Sequence, residues 1–165
     1  MNRNTLTTIL LTLATLALQI FVSPLLNIAG TTINYCLAFL VAISVVLNEK
    51  PKIAIAVILG IFMDLTQGEP FGAFTLIFLL SNMAAMMLTA NVNSSNFTEK
   101  AIQAFVICAV ANVLLCLIFG IATPGLTIAL AFTSGQLWSC LFDGLISILY
   151  LMLVSALAKN SGLDA

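Results

Sequence analysis

Residues 60–72 read Gly60-Ile61-Phe62-Met63-Asp64-Leu65-Thr66-Gln67-Gly68-Glu69-Pro70-Phe71-Gly72. Gly60, Asp64, Gly68 and Gly72 recur at every fourth position. While a helix lasts, that spacing puts a smooth groove and one carboxylate on a single face. Pro70 has no N–H and disfavours helix at Glu69, so the helix should end near Thr66 or Gln67. Gly68 and Gly72 permit a tight reversal, and a second helix can start close by. Asp64 then stands where a carboxylate can accept hydrogen bonds from the first N–H groups of that second helix. The run from Ile53 to Thr66 is about 21 Å long at helical rise, a short helix compatible with a thinned membrane or a funnel at this end. The stretch reads first as a structural hinge and only second as a ligand site.

What surrounds it is apolar. Of 165 residues, 62% are hydrophobic and 7% charged, and the mean hydropathy is +1.20. Soluble domains carry about 25% charged residues. Five basic and six acidic side chains cannot cover a water-soluble globule of 17.5 kDa. The chain is therefore expected to be an all-α, polytopic integral membrane protein. A net charge of −1 with no basic cluster argues against nucleic acid as a partner. The absence of His removes the commonest general base and metal ligand.

A crossing helix needs roughly 20 apolar residues, and polar clusters mark where the chain surfaces. Breaks at Ser23-Pro24, at Glu49-Lys50-Pro51-Lys52, at Thr66 to Pro70, at Glu99-Lys100 and at Thr123-Pro124-Gly125 divide the chain into six spans. As one transmembrane domain over 1–165, the expected spans are about 6–26, 33–47, 53–66, 71–90, 101–122 and 137–158. Residues 126–136 are read as an interfacial stretch, because the run is too long for one crossing. With six crossings, Arg3, Lys50, Lys52, Lys100 and Lys159 all fall on one side. The positive-inside rule makes that side cytoplasmic, with both termini in it. The first span lacks the features of a cleavable signal and is expected to remain in the mature protein.

Few residues point to chemistry. Cys36, Cys108, Cys116 and Cys140 lie in apolar runs without CxxC spacing, and they read as small packing residues. No metal site is expected. Trp138 suits an interfacial anchor. Asp64 and Asp143 fall inside spans with no intramembrane Lys or Arg to pair with. Each must reach interfacial water, or stay protonated and hydrogen-bonded inside the bundle. Gln19, Asn34, Asn82, Gln103, Asn112 and Gln136 are the amides available as partners, each expected to face protein. A proton or substrate relay is one reading. A set of interhelical hydrogen bonds is the favoured one, since no base or second acid lies nearby in sequence.

The run from Gly60 to Leu76, with its D-L-x-x-G followed by P-x-G, resembles the signature of the bacterial rod shape-determining protein MreD family. Leu18-Gln19-Ile20 in the first span, the short basic loop at Glu49–Lys52 and Asp143-Gly144 in the last span agree with it. The resemblance implies a six-helix bundle similar to the substrate-binding subunits of energy-coupling factor transporters. It also implies a place in the elongasome of the bacterial inner membrane. There the partners would be an MreC-like bitopic protein, the MreB filament, and a cell-wall polymerase and transpeptidase. On that resemblance the protein is a scaffold for peptidoglycan synthesis, with no catalysis and no cofactor. Gly60, Asp64, Leu65, Gly68, Pro70 and Gly72 are the positions carried over from the signature, as partner-binding or fold-critical residues. Gln19, Asn112 and Asp143 are the intramembrane polar positions of interest.

The rival class is a substrate-binding subunit of an energy-coupling factor vitamin transporter. Such subunits dock through an A-x-x-x-A pattern in the first helix, whereas here the clearest such pattern, Ala38 and Ala42, is in the second span. An intramembrane enzyme lacks any supporting motif: there is no G-x-S-x-G and no H-E-x-x-H.

Overall fold

A computed structural model describes residues 3–28, 31–46, 52–67, 70–91, 96–122 and 134–160. The described residues form six helices: α1 (Arg3–Phe21), α2 (Tyr35–Val46), α3 (Lys52–Gln67), α4 (Ala73–Asn91), α5 (Phe97–Ala122) and α6 (Ser134–Asn160). The all-helical expectation holds, with one addition. A two-strand hairpin, β1 (Asn27–Ile28) and β2 (Thr31–Thr32), sits between α1 and α2, pairing Asn27 with Thr32 and Ile28 with Thr31. Alternation cannot be seen in strands of two residues, which is why the sequence reading had none.

Among the described residues, three helices contain segments long and apolar enough to cross a membrane: Ala73–Ala90, Phe97–Ala122 and Trp138–Leu157. The apolar parts of α1 and α2, Leu6–Phe21 and Tyr35–Val46, are shorter. In α1 the cause is local. Pro24 cannot donate a hydrogen bond, and the helix gives way to a turn closed by Ser23 N–H to the Leu18 carbonyl (3.1 Å) and Leu25 N–H to the Val22 carbonyl (3.0 Å). The expected break at Thr123-Pro124-Gly125, the proposed interfacial stretch 126–136 as far as residue 133, and the loop 47–51 lie outside the described residues.

The axis of the bundle is α2. Every residue from Tyr35 to Val45 is buried, and the helix packs against all the others. A helix that is apolar on every side belongs inside. Phe39, Leu40 and Ile43 form its centre with Leu59, Ile77, Phe78 and Leu151 from the surrounding helices. Helices α3 and α4 make one close pair, and α5 and α6 another. In the second pair, Gly144 lies directly against the Phe105 ring.

Three buried polar residues around the C-terminal half of α2 are matched. Ser44 donates its hydroxyl to Asn82 Oδ1 (2.7 Å), with both residues fully buried. Lys52, also buried, donates Nζ to the Ser44 carbonyl (2.9 Å) and so closes the C-terminus of α2 with a cation. Burial lowers the pKa of that ammonium from the ordinary lysine value. Asn82→Leu alone strands the Ser44 hydroxyl and should cost about 2 kcal/mol, the price of one buried unpaired group. Adding Ser44→Ala removes the stranded group, so the double variant should recover part of that loss. Thermal unfolding of the purified variants in one detergent checks both values.

Candidate functional site

The α3–α4 corner shows why the sequence folds as it does at residues 60–75. The Gly72 carbonyl accepts the Leu76 N–H (3.0 Å), which makes Gly72 the N-cap of α4. Gly72 has φ +92°, a left-handed backbone that side-chain-bearing residues rarely adopt. A glycine cannot supply the capping oxygen that Ser, Thr, Asp or Asn would give. Asp64 supplies it from the neighbouring helix. Its Oδ1 accepts the Phe74 N–H (2.9 Å), and its Oδ2 accepts the Thr75 N–H (3.2 Å) and the Thr75 hydroxyl (2.5 Å).

Gly60 makes this geometry reachable. A Cβ placed there would stand 2.5 Å from the Thr75 Cα, with backbone rather than a movable side chain in the way. The missing side chain at Gly60, one helical turn before Asp64, lets the first turn of α4 settle on α3 within reach of the carboxylate. Gly60, Asp64 and Thr75 thus act as one device. Gly72→Ala should cost about 1–2 kcal/mol through its left-handed φ alone, since no atom crowds the position. A lowered unfolding midpoint, with unchanged helix content by circular dichroism, is the expected reading.

A second carboxylate serves the start of α2. Asp143, fully buried on α6, accepts the Asn34 backbone N–H at Oδ1 (2.8 Å) and Asn112 Nδ2 at Oδ2 (2.9 Å), and the Ser139 hydroxyl bonds to it as well. Asn34 is the N-cap of α2: its Oδ1 accepts the Leu37 N–H (3.0 Å) and its carbonyl the Ala38 N–H (3.2 Å). Gln19 on α1 completes the end by accepting the Cys36 N–H (3.4 Å) and donating to Ser23 Oγ (3.2 Å) and the Ile33 carbonyl (3.4 Å). Asp64 and Asp143 therefore do the same work at two helix starts. Each brings negative charge to the positive end of a helix dipole and satisfies orphan N–H groups.

Between these two capped starts lies a cavity of about 260 Å³. Gln19, Thr32, Asn34, Gln67, Asn112 and Ser139 are its polar lining; Ile33, Met63, Phe74, Leu115, Cys116 and Phe119 are its apolar lining. Among the described residues, no cluster of His, Cys, Asp and Glu could hold a metal ion.

The model of the rod shape-determining protein MreD family matches residues 2–160 of the 165-residue chain. The chain belongs to the MreD family. Membership makes it a bacterial membrane protein of rod-shape determination. No curated protein and no solved structure matches it.

The residues that resemble the family signature separate by position. Gly60 and Asp64 lie inside the α3–α4 contact, Pro70 is half-buried at the corner, and Leu65 is 70% exposed. Gly68 and the Gln136 side chain lie outside the described ones. Gln19, Asn34, Asn112 and Asp143 come together at the start of α2, whereas Asn82 pairs far away with Ser44. Gln103 stays apart too, with Oε1 buried and unpartnered among the described residues. Thr75, Ser23 and Ser139 were missed as partners. For Thr75 only its place in the first turn of α4 could have signalled it.

Proposed function

We propose that this MreD-family chain is a non-catalytic scaffold of the bacterial cell-elongation machinery. In this reading it crosses the cytoplasmic membrane six times with both termini inside. It binds an MreC-like bitopic protein and helps organise peptidoglycan synthesis by the MreB-linked polymerase and transpeptidase. One observation carries the non-catalytic part: both intramembrane carboxylates are taken up in capping other helices, Asp64 with three donors and Asp143 with donors from Asn34, Asn112 and Ser139. A general acid or nucleophile needs a lone pair or proton aimed at substrate.

Leu65 supports the partner-binding part. It belongs to the signature, yet it projects from α3 beside the exposed Ile58 and Ile61. A partner's transmembrane helix meets the protein there in this reading, while Gly60 and Asp64 hold the surface in shape from behind. The transporter reading finds no such support. Ala38 and Ala42, its nearest docking pattern, are fully buried in α2 and cannot meet a coupling subunit.

The test is replacement in a rod-shaped host whose own MreD-family gene is depleted. The chain should restore rods, and Leu65→Arg should fail to restore them while accumulating at normal levels. Rods with Leu65→Arg would remove this face from the interaction. Thiol labelling of Arg3→Cys and Lys100→Cys variants tests the orientation: an impermeant reagent should label neither in intact cells.

A further inference from the structure

The cavity between the starts of α2 and α4 is not required by the scaffold role, and its chemistry is specific enough to name an occupant class. We propose that it is a binding site for an uncharged, oxygen-bearing ring of about one hexose in size, presented as a lipid headgroup or as a free solute. The proposal stands apart from the scaffold reading and does not depend on it.

Three observations define the ligand. Charge comes first: among the described residues no Lys, Arg, Asp or Glu lines the cavity, and the two nearby carboxylates are already engaged by protein donors. The described lining offers no charged group to pair a phosphate or an ammonium, and burying an unpaired charge is costly. Next is an unused donor. Asn34 lines the cavity and is only 8% exposed; its Oδ1 is held by the Leu37 N–H, but its Nδ2 donates to nothing among the described residues. An amide N–H₂ on a largely buried residue with no protein acceptor gains from a hydroxyl, ether or carbonyl oxygen on a ligand in the cavity that Asn34 lines. The apolar part of the lining supplies the third. Phe74 and Phe119 meet edge to face there, with centroids 5.8 Å apart, beside Met63 and Leu115. An amphipathic ring can lay an apolar face on that lining and turn its oxygen edge to Asn34. The volume of about 260 Å³ lies just under the roughly 300–1,000 Å³ of sites that enclose drug-sized ligands, which suits one ring.

The test is native mass spectrometry of the full chain in lipid nanodiscs. One set is phosphatidylcholine with monoglucosyl-dioleoylglycerol, a second replaces the glycolipid by dioleoylglycerol, and a third adds free glucose to the second. Adducts with the glycolipid alone assign a headgroup site, and adducts with free glucose assign a solute site; either supports the proposal. Two variants localise the binding. Asn34→Ser keeps a capping oxygen for α2 but removes the Nδ2 donor, and should weaken the adduct about tenfold, the worth of one hydrogen bond. Cys116, which also lines the cavity, gains bulk in Cys116→Leu, and the adduct should be abolished in protein that still folds. If Asn34→Ser fails to fold, Cys116→Leu decides alone. Absence of adducts in every arm overturns the site, as does binding that a folded Cys116→Leu variant leaves unchanged.

Discussion

Asp64→Ala should lower the stability of the purified protein by about 3 kcal/mol or more, with a matching fall in the amount that accumulates in membranes. The size follows from what is lost. The Phe74 and Thr75 N–H groups and the Thr75 hydroxyl would all lose their acceptor at once. A hydrogen bond to a charged group contributes about 1.5–3 kcal/mol, and a lost N-cap costs about 0.5–2 kcal/mol. Little water can replace the carboxylate, because Asp64 is 1% exposed. Asp64→Asn should be milder. Its carbonyl oxygen can still accept the Phe74 N–H, and the Thr75 hydroxyl can turn to accept from the new amide. Only the Thr75 N–H is then left facing a donor. Equal and severe loss of rod shape in both variants, at normal membrane levels, would show instead that the charge itself is functional.

Gly60→Ala should cost a similar amount by a different route. The added methyl meets the Thr75 Cα at 2.5 Å, so backbone must move. Overpacking a tight contact costs typically 1–3 kcal/mol. Here the displaced residue is the one that Asp64 caps, so the shift also stretches two of the three cap bonds. The two variants should consequently be non-additive. Once Asp64 is alanine, moving α4 away breaks nothing further at the cap, and the double variant should lose at least 1 kcal/mol less than the sum of the singles. Strict additivity in a double-mutant cycle would mean that Gly60 and Asp64 act independently, contrary to the geometry.

How much of this was legible in the sequence differs from element to element. The Gly60–Gly72 stretch spoke clearly because helix periodicity, a proline and a lone carboxylate constrain one another locally. The Asp64 contact with the first turn of α4 follows from those constraints. Breaks marked by Pro24 and Pro70 were equally local. The central place of α2 was also within reach, since Tyr35–Val46 carries apolar residues on all sides apart from Ser44. Asn34 before that run had the N-cap signal as well. Its union with Asp143 did not show, because 109 residues separate them and only the bundle brings α6 to the start of α2. The cavity was invisible for the same reason: among the described residues its walls come from five helices, from β2 and from the Ile33-Asn34 segment that leads into α2.

The carboxylates also show how one composition supports two opposite readings. Two acids in a membrane protein suggest a relay until their partners are known. Asp64 and Asp143 each face the N-terminus of a helix whose own cap position is held by a glycine or an asparagine. Charge at a helix start, inside a low-dielectric bundle, stabilises the start itself. The rest of the chain then offers apolar surface, and surface of that kind binds helices or lipid by close packing.

The scaffold role is tested most directly by purifying the tagged protein from native membranes in mild detergent and identifying by mass spectrometry what accompanies it. A scaffold of the elongation machinery should bring down a single-pass coiled-coil protein and cell-wall synthases, and Leu65→Arg should release them without loss of the tagged chain. Recovery of ATPase subunits in their place would contradict it and make the protein part of a transporter.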